Sequence, residues 1–588
     1  MFFVRCISQR PSIIPKPKKD ASEIQINFRK FTSAVFNVSK TSCPALLPQG
    51  LNEHFLSDLR DQNAHPLVGF EILFNYTFSM KSTFEEVSRE INALHYQRAL
   101  SLLERNSAEL LKSDPASYHY FTAQCLRGLE LAASALSLAQ LAISESEDDF
   151  FKDLCRWEIA KNLFKLGKRD DSEKELEKIL SRVRGPRVPE ASLTLAALCI
   201  EQGRTTQARE EVEQIVSYHK AHPDTKERWV VEMALMMGDI YSFQEDTVQA
   251  RSWYDKALAF CETCIPENWR VLRKALIWHN IADLYEQKDD FQKADRAYST
   301  ALSYIQDVRD PEIYDVASYE CEILLSIANF YSNQDDYDKA EHLFEAILIF
   351  QKDHPPVKAL LLLARTCFLY GLCELYQDTE RHRKRAHQLL ENAYQIHSAL
   401  YDRGEARLEQ VGRCVYYLAD VLDDLPENYN RKENLLIEAS NIFQKLWRTE
   451  PRFYLSSIAE IFNEIGRIKL LQNDPKAVLF LEKASDYFTH VRKLFRDDPF
   501  ILESQTYSCA NLARAYDLNQ DLDKAQDCLS QVLRLCALLI NYDLQFLHSV
   551  HLLLTRTIPL YSDRLLETRA GRELKGSLSD LEDHLFSA

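Results

Sequence analysis

The chain has little glycine and little proline, with 13 and 19 residues among 588. Both residues are needed at the turns of β-sheets, and glycine is needed in loops that hold phosphate groups, so sheet-rich and nucleotide-binding folds are disfavoured. The sequence also lacks the patterns GxxxxGK[ST], HExxH, GxSxG and GxGxxG. These absences predict an all-α protein that is not an enzyme and that uses no cofactor and no metal ion.

Positive charge is in deficit, because 71 Lys and Arg face 88 Asp and Glu, for a net charge of −17. An acidic chain repels phosphate backbones, which disfavours nucleic-acid binding. Residues 1–40 are the exception, with eight basic and two acidic residues. A mitochondrial presequence and a flexible basic tail both explain this segment. We therefore expect a cytoplasmic protein, with mitochondria and the nucleus as alternatives.

Long apolar runs and regularly spaced cysteines are also missing. The longest apolar run, residues 357–376, is interrupted by Arg365 and Glu374. A membrane-spanning helix needs about 20 apolar residues, so we predict a buried helix and no membrane span. The fourteen cysteines are scattered, which indicates reduced thiols. We interpret the one CxxC, Cys261 to Cys264, as a coincidence.

The sequence does contain a repeated pair of amphipathic helices, clearest in WHNIADLYEQKDDFQKADRAYSTA at residues 278–301. With Ala282 taken as position 8 of the unit, Ala294 is position 20, Tyr298 is position 24 and Ala301 is position 27. Small residues at positions 8, 20 and 27 allow two antiparallel helices to approach closely. This pattern resembles the tetratricopeptide repeat, a helix-turn-helix unit of about 34 residues.

Small residues equivalent to position 20 recur eleven times, at Ala99, Ala135, Ser172, Ala208, Ala250, Ala294, Ala340, Ala386, Ala439, Ala477 and Ala525. The resemblance implies an all-α, right-handed superhelical solenoid of about eleven such repeats. Several middle units are spaced by 42 to 46 residues, which is similar to the long-repeat subclass found in kinesin light chains.

The repeats predict three regions: an irregular basic extension at 1–82, the solenoid at 83–536, and a capping helix with a polar, loosely held tail at 537–588. The most regular units lie within 116–351 and 506–536. Insertions near DTERHRKR and PENYNRKEN predict loops that interrupt later units. The first includes the basic cluster at 381–385, for which a solvated turn and a contact with phosphate, an acidic peptide or an import receptor remain alternatives.

Resemblance to the family implies that first-helix positions 2, 5, 6, 9, 12 and 13 line the concave face. Co-chaperones of this family hold a C-terminal carboxylate with Lys, Asn and Arg at five such positions. Here those positions hold Leu235, Asp239, Asn280, Glu322 and Ser326. Only the asparagine matches, and two positions carry acidic side chains. The three repeats centred on Ala282 are therefore not predicted to form a carboxylate clamp.

The same face is rich in carboxylates and amides, which attract basic groups and bond to peptide backbone. We hypothesise that it binds a basic or polar segment of a partner protein; the alternative is that the carboxylates only solvate an exposed face. A subunit that wraps a large partner and a mitochondrial assembly factor are related alternatives, and an RNA-binding repeat is disfavoured by the acidic groove. The candidate groove residues are Glu232, Asp239, His279, Asn280, Asp283, Glu286, Glu322 and Asn329.

Overall fold

The computed structural model describes residues 82–586, except 130, 183–188, 203, 224, 226, 265–266, 309–315, 354–358, 378, 404–405, 450–453, 495–497 and 541–543. The predicted extension at 1–82, with its targeting role, therefore lies almost entirely outside the described residues. Within them the secondary structure is helical. The prediction of an all-α, right-handed solenoid is confirmed.

Eleven antiparallel helix pairs follow one another along the chain, as predicted. They are α1 (Ser82–Asn92) with α2 (Tyr96–Arg105), α4 (Pro115–Gly128) with α5 (Ala132–Glu145), α6 (Asp149–Lys165) with α7 (Arg169–Arg182), α8 (Pro189–Glu201) with α9 (Thr205–Ala221), α10 (Arg228–Phe243) with α11 (Thr247–Cys264), α12 (Glu267–Glu286) with α13 (Phe291–Gln306), α14 (Val316–Asn333) with α15 (Tyr337–Asp353), α16 (Ala359–Tyr376) with α17 (Glu380–Asp402), α18 (Leu408–Asp420) with α19 (Tyr429–Thr449), α20 (Leu455–Leu471) with α21 (Ala477–Leu494), and α22 (Pro499–Leu518) with α23 (Leu522–Ile540). A short helix, α3 (Ser107–Ser113), separates the first two pairs.

Among the turns that the structure describes, one geometry recurs in seven pairs. Each has a residue of positive φ at position 15, where the left-handed conformation reverses the chain; these residues are Leu94, Gly167, Glu245, Asp289, Asp335, Asn473 and Gln520. The next N–H then bonds back to the carbonyl of position 11, as Asp290 does to Tyr285 at 3.0 Å. Asp290 also caps α13 by accepting from the Lys293 N–H.

Close packing of each pair depends on the small residues. Ala282 and Ala294 have no exposed surface. At Gly238, which is position 8 of its unit, an added Cβ would overlap the ring of Tyr254 on the paired helix. The small residues therefore set the distance between paired helices, as the sequence pattern predicts.

Distant repeats also touch. The indole N–H of Trp269, near the start of α12, donates to the carbonyl oxygen of Asn92 in the first repeat. The Arg407 guanidinium donates to the carbonyl oxygen of Phe164 at 3.3 Å and lies 3.8 Å from the Glu201 carboxylate. The superhelix is thus closed enough for sequence-distant repeats to make direct contacts.

The insertion at DTERHRKR does not form a loop. The turn after α16 is short, and residues from Glu380 onward are helical, so the three extra residues lengthen the start of α17 by almost one turn. Its basic side chains already have acidic partners: Arg385 lies 2.8 Å from Glu345, and Arg383 pairs with Asp423. The prediction of a basic loop at 381–385 is therefore wrong, because these residues are helical. Arg383 and Arg385 join neighbouring repeats.

Beyond α23 lie α24 (Leu544–Thr557), a 3₁₀ turn (Ile558–Leu560), α25 (Asp563–Leu566) and α26 (Arg569–Phe586). The sequence end was expected to be a polar, loosely held tail. Instead, α26 buries Ala570, Leu574 and Leu581 in the last apolar cluster, together with residues of α23. The cap is consequently larger than the single helix that was predicted.

One helix within the described chain, α16, is long and apolar enough to cross a membrane by length and composition alone. In the solenoid, 56% of its 18-residue apolar window is buried. A buried core helix has the same composition, so this feature is weak evidence for a span.

Candidate partner-binding groove

The eight predicted groove residues lie on three consecutive first helices, α10, α12 and α14. All eight are partly exposed. Their spacing on these helices places Asp239, Asp283 and Asn329 at the same repeat position, 9, one on each helix. The structure thus brings the predicted residues onto adjoining helices.

Two buried tyrosines from the second helices approach this face from behind. The Tyr254 hydroxyl donates to a carboxylate oxygen of Asp239 at 2.7 Å. The Tyr298 hydroxyl lies 2.6 Å from Asp283 and 2.9 Å from Glu286, so its single proton is shared between two carboxylates. Both tyrosines occupy position 24, where the family pattern places an apolar residue of the helix seam. They fix the orientation of the three carboxylates.

Polar bonds also link neighbouring repeats across the face. The Asn280 amide donates to Asp239 at 3.1 Å, and the Asn333 amide donates to Glu286 at 3.3 Å. His279 and Ser326 form a hydrogen bond of 2.8 Å between Nε2 and Oγ. Helices α10, α12 and α14 are therefore joined by side-chain bonds that hold the groove in one shape.

Two of the carboxyl groups have pKa values raised toward neutral pH. Burial raises the pKa of Asp239 to about 6, against the opposing effect of its bonds from Tyr254 and Asn280. Burial and the nearby Asp283 raise the pKa of Glu286 to about 7. The negative charge of the groove consequently increases between weakly acidic and neutral pH.

The groove is less uniformly acidic than the sequence suggested. Glu232 pairs with Arg273 at 2.5 Å, and Glu322 lies 3.6 Å from Arg365. These arginines come from the next repeat in each case, which a single-repeat pattern does not reveal. The Asn280 amide is likewise engaged by Asp239, so that only its carbonyl side matches the predicted role of a backbone-binding amide.

The sequence reading missed Tyr254 and Tyr298 as groove residues, although the chain carries a signal for them. In two consecutive repeats, Tyr at position 24 accompanies Asp at position 9. In the next repeat, Phe344 replaces the tyrosine and Asn329 replaces the aspartate. Phenylalanine has no hydroxyl to donate, and asparagine carries no charge that needs one.

A second polar cluster lies between α15, α16 and α17. Ligand-type atoms of Glu341, Glu374 and His382 lie within 4.8 Å of one another, which is close enough to hold a metal ion. However, His382 Nδ1 already contacts Glu374 at 2.6 Å, and Arg385 Nε lies 3.1 Å from the same carboxylate. Burial raises the pKa of Glu374. A resident guanidinium makes this cluster a poor cation site.

Comparison with known families accounts for the repeats. Models described as tetratricopeptide repeat match residues 158–224, 275–307 and 506–537. The chain contains tetratricopeptide repeats. Two of the matched stretches overlap the pairs α12–α13 and α22–α23. The family is one that generally forms protein-interaction scaffolds. Among curated proteins, none matches the chain.

Several solved structures are similar in architecture at low identity. A Rap protein complexed with competence and sporulation factor is 12% identical over 58% of this chain and 96% of that chain, with a TM-score of 0.39. The human IFIT1 dimer with m7Gppp-AAAA is 15% identical over 79% and 97%, with a TM-score of 0.35. BtubC (BKLC) from P. vanneervenii is 19% identical over 50% and 93%, with a TM-score of 0.26.

Proposed function

We propose that the tetratricopeptide solenoid is a non-catalytic adaptor that holds a basic or polar segment of a partner protein in its concave groove. The observation that carries the proposal is the group of three carboxyls, Asp239, Asp283 and Glu286, on the partly exposed face of adjoining helices. Because tyrosine hydroxyls orient them, little side-chain freedom is lost when a cation binds.

The bonds between repeats support the same function. Asn280 and Asn333 join α10, α12 and α14, so the face is organised before a partner arrives. Among the described residues no Lys or Arg pairs with Asp239, Asp283 or Glu286, so a partner's Lys or Arg side chain meets these carboxyls without displacing one of those cations. At Glu232 and Glu322 it would compete with Arg273 and Arg365. We therefore place the preferred cation site at the middle carboxyls.

The experiment is a binding array of extended peptides that differ only in charge, presented to the full chain. A triple variant, Asp239→Asn with Asp283→Asn and Glu286→Gln, removes the groove charge. Its matched control removes three exposed carboxylates from second helices with Glu177→Gln, Glu210→Gln and Asp338→Asn, so that net charge changes equally. We expect basic peptides to bind the natural chain and the control variant, and we expect their binding to the groove variant to be lost. Equal loss in both variants, or preference for acidic peptides, would contradict the proposal.

Two larger assignments belong to the same proposal. A stoichiometric subunit that wraps a large partner would use the same face. It differs from an adaptor in that an isolated segment of its partner does not bind, whereas the whole partner does. We place the protein in the cytoplasm, with mitochondrial import through residues 1–40 as the alternative. Imaging of the full chain and of a chain lacking those residues decides between them, because a presequence is required for import and a tail is not.

A further inference from the structure

Another part of the concave face, on α4 and α6, has the opposite chemistry. Arg127 and Lys161 converge on one carboxylate, Glu158, which Lys161 reaches at 2.7 Å. The Glu158 side chain has no exposed surface, whereas those of Arg127 and Lys161 remain 20% and 18% exposed. The carboxylate therefore lies beneath the two cations, which each keep part of their surface exposed.

More positive groups surround this pair. Lys165 donates from Nζ to the carbonyl oxygen of Arg127 at 3.2 Å. Arg228, the first residue of α10, stacks over the Trp269 ring at 3.8 Å and is close enough to lower the pKa of Lys161. We call Arg127 and Lys161 the cation cluster. Among the described residues both pair with the same carboxylate, Glu158, so these three side chains carry a net positive charge.

The pKa shifts of Glu158 and Lys161 agree with this net positive charge. Burial would raise the pKa of Glu158, but Arg127 and Lys161 lower it to about 2. Burial and then Arg127 lower the pKa of Lys161 to about 8, although Glu158 opposes them. The carboxylate thus stays charged, and the lysine ammonium is held in a place that favours a further negative group.

We propose that the cation cluster binds an oxyanion, either a carboxylate or a phosphate monoester, through the exposed edges of Arg127 and Lys161. A guanidinium donates two parallel hydrogen bonds to such a group, and the neighbouring ammonium adds a third. This site uses positions 12 and 9 of its repeats and is different from the carboxylate clamp excluded by sequence. It does not rest on the proposed role of the acidic groove.

Inorganic phosphate and acetate are the two probes, titrated into the full chain by calorimetry at pH 7 and at constant ionic strength set with chloride. We expect at least one probe to bind at a single site, and the stronger of the two identifies the preferred source of the oxyanion. Lys161→Gln should weaken that binding about tenfold or more, while Lys168→Gln, an exposed lysine in the adjacent turn, should leave it unchanged.

Glu158→Gln separates binding from structure. It removes the resident carboxylate but keeps its shape, so an anion site should bind the probe more tightly, whereas a purely structural ion pair predicts no gain. Lys161→Arg keeps the charge and should retain binding even where Lys161→Gln is unstable. The proposal is overturned if neither probe binds the natural chain, if Lys161→Gln binds as well as the natural chain, or if Glu158→Gln binds no more tightly than the natural chain.

Discussion

The hydroxyl of Tyr298 lies 2.6 Å from a carboxylate oxygen of Asp283, fifteen residues earlier in the same repeat. The same fifteen-residue relationship joins Tyr254 to Asp239 at 2.7 Å. In both cases a seam residue of the second helix positions a groove residue of the first. Packing of the repeat and chemistry of the groove therefore depend on one side chain.

Tyr298→Phe is expected to lower the free energy of unfolding by about 1–2 kcal/mol, because two partly buried carboxyls lose their shared donor. Thermal unfolding of the full chain measures the loss. Tyr285→Phe is the matched control, since that tyrosine is only half-buried and lies on the first helix of the same repeat. An equal effect of both changes would show that the hydroxyl of Tyr298 has no special role.

The Phe344 and Asn329 pair allows the relationship to be built where it is absent. Phe344→Tyr alone should destabilise the protein, because its buried hydroxyl faces no carboxylate at position 9. Adding Asn329→Asp should recover part of that loss, giving a favourable coupling of about 0.5–1 kcal/mol in a double-mutant cycle. A coupling of zero would mean that the carboxylate introduced at residue 329 does not accept a hydrogen bond from the hydroxyl introduced at residue 344.

Stability and binding should respond to pH in opposite directions. Asp239 and Glu286 have pKa values raised to about 6 and about 7, so the folded chain binds more protons than the unfolded chain between about pH 4 and pH 7. Their contribution to stability is therefore present below that range and falls as pH rises through it. Unfolding of the natural chain and of Asp239→Asn with Glu286→Gln, compared at pH 5 and pH 8, measures the difference.

Binding of a Lys- or Arg-containing peptide should instead strengthen over the same pH range, because the two carboxyls gain charge. Asp283, Glu232 and His279 share the face, and His279 lies 3.9 Å from Asp283. The peptide should contain no histidine, because its own charge must stay constant over this pH range. The double variant should bind with a flatter pH profile. Binding that weakens from pH 5 to pH 8 would contradict the assignment of these carboxyls.

The turn at position 15 offers a stabilising change. Gln520 has a φ of 63°, a conformation that costs a side-chain-bearing residue about 1–2 kcal/mol and glycine almost nothing. Gln520→Gly should raise the free energy of unfolding by about 0.5–1 kcal/mol, and with it the melting temperature, once the higher entropy of glycine in the unfolded chain is subtracted. Gln520→Ala is the control and should not. Loss of stability in the glycine variant would show that the positive φ of Gln520 does not cost the folded chain more than glycine's extra entropy costs on folding.

Contact between distant repeats predicts a local effect of Arg407→Ala. The Arg407 side chain lies close to Gly167, and its guanidinium donates to the carbonyl oxygen of Phe164, so its loss should expose the turn between α6 and α7. Hydrogen exchange of the Lys168 amide should become faster, with little change in α12 and α13. Uniform acceleration across the chain would indicate general destabilisation and not a lost contact.

Local periodicity was sufficient to predict the helix pairs, because positions 8 and 20 report the contact within one repeat. It was also sufficient to place Asp239 and Asp283 on the same face. It did not predict that Arg273 and Arg365 neutralise Glu232 and Glu322, since those pairs join different repeats. For the same reason, a count of acidic residues overstated the charge of the groove.

The cation cluster escaped prediction for a related cause. Arg127, Lys161 and Glu158 come from two repeats, and each alone is an ordinary charged residue on a helix. The inserted residues before Ala386 were also misread, because a polar insertion can extend a helix as readily as it can form a loop. Composition gives the polarity of such a segment, whereas its backbone conformation depends on how it packs against the repeats on either side.

The central claim is that the carboxyls of the groove attract a basic partner segment. The most direct test is fluorescence anisotropy of one labelled Lys- and Arg-rich peptide against the natural chain and the Asp239→Asn, Asp283→Asn, Glu286→Gln variant, at 50 mM and 300 mM salt. We expect weaker binding at high salt for the natural chain, and an affinity at least tenfold lower with a smaller salt response for the variant. Binding that is unchanged by salt and by the three substitutions would contradict it.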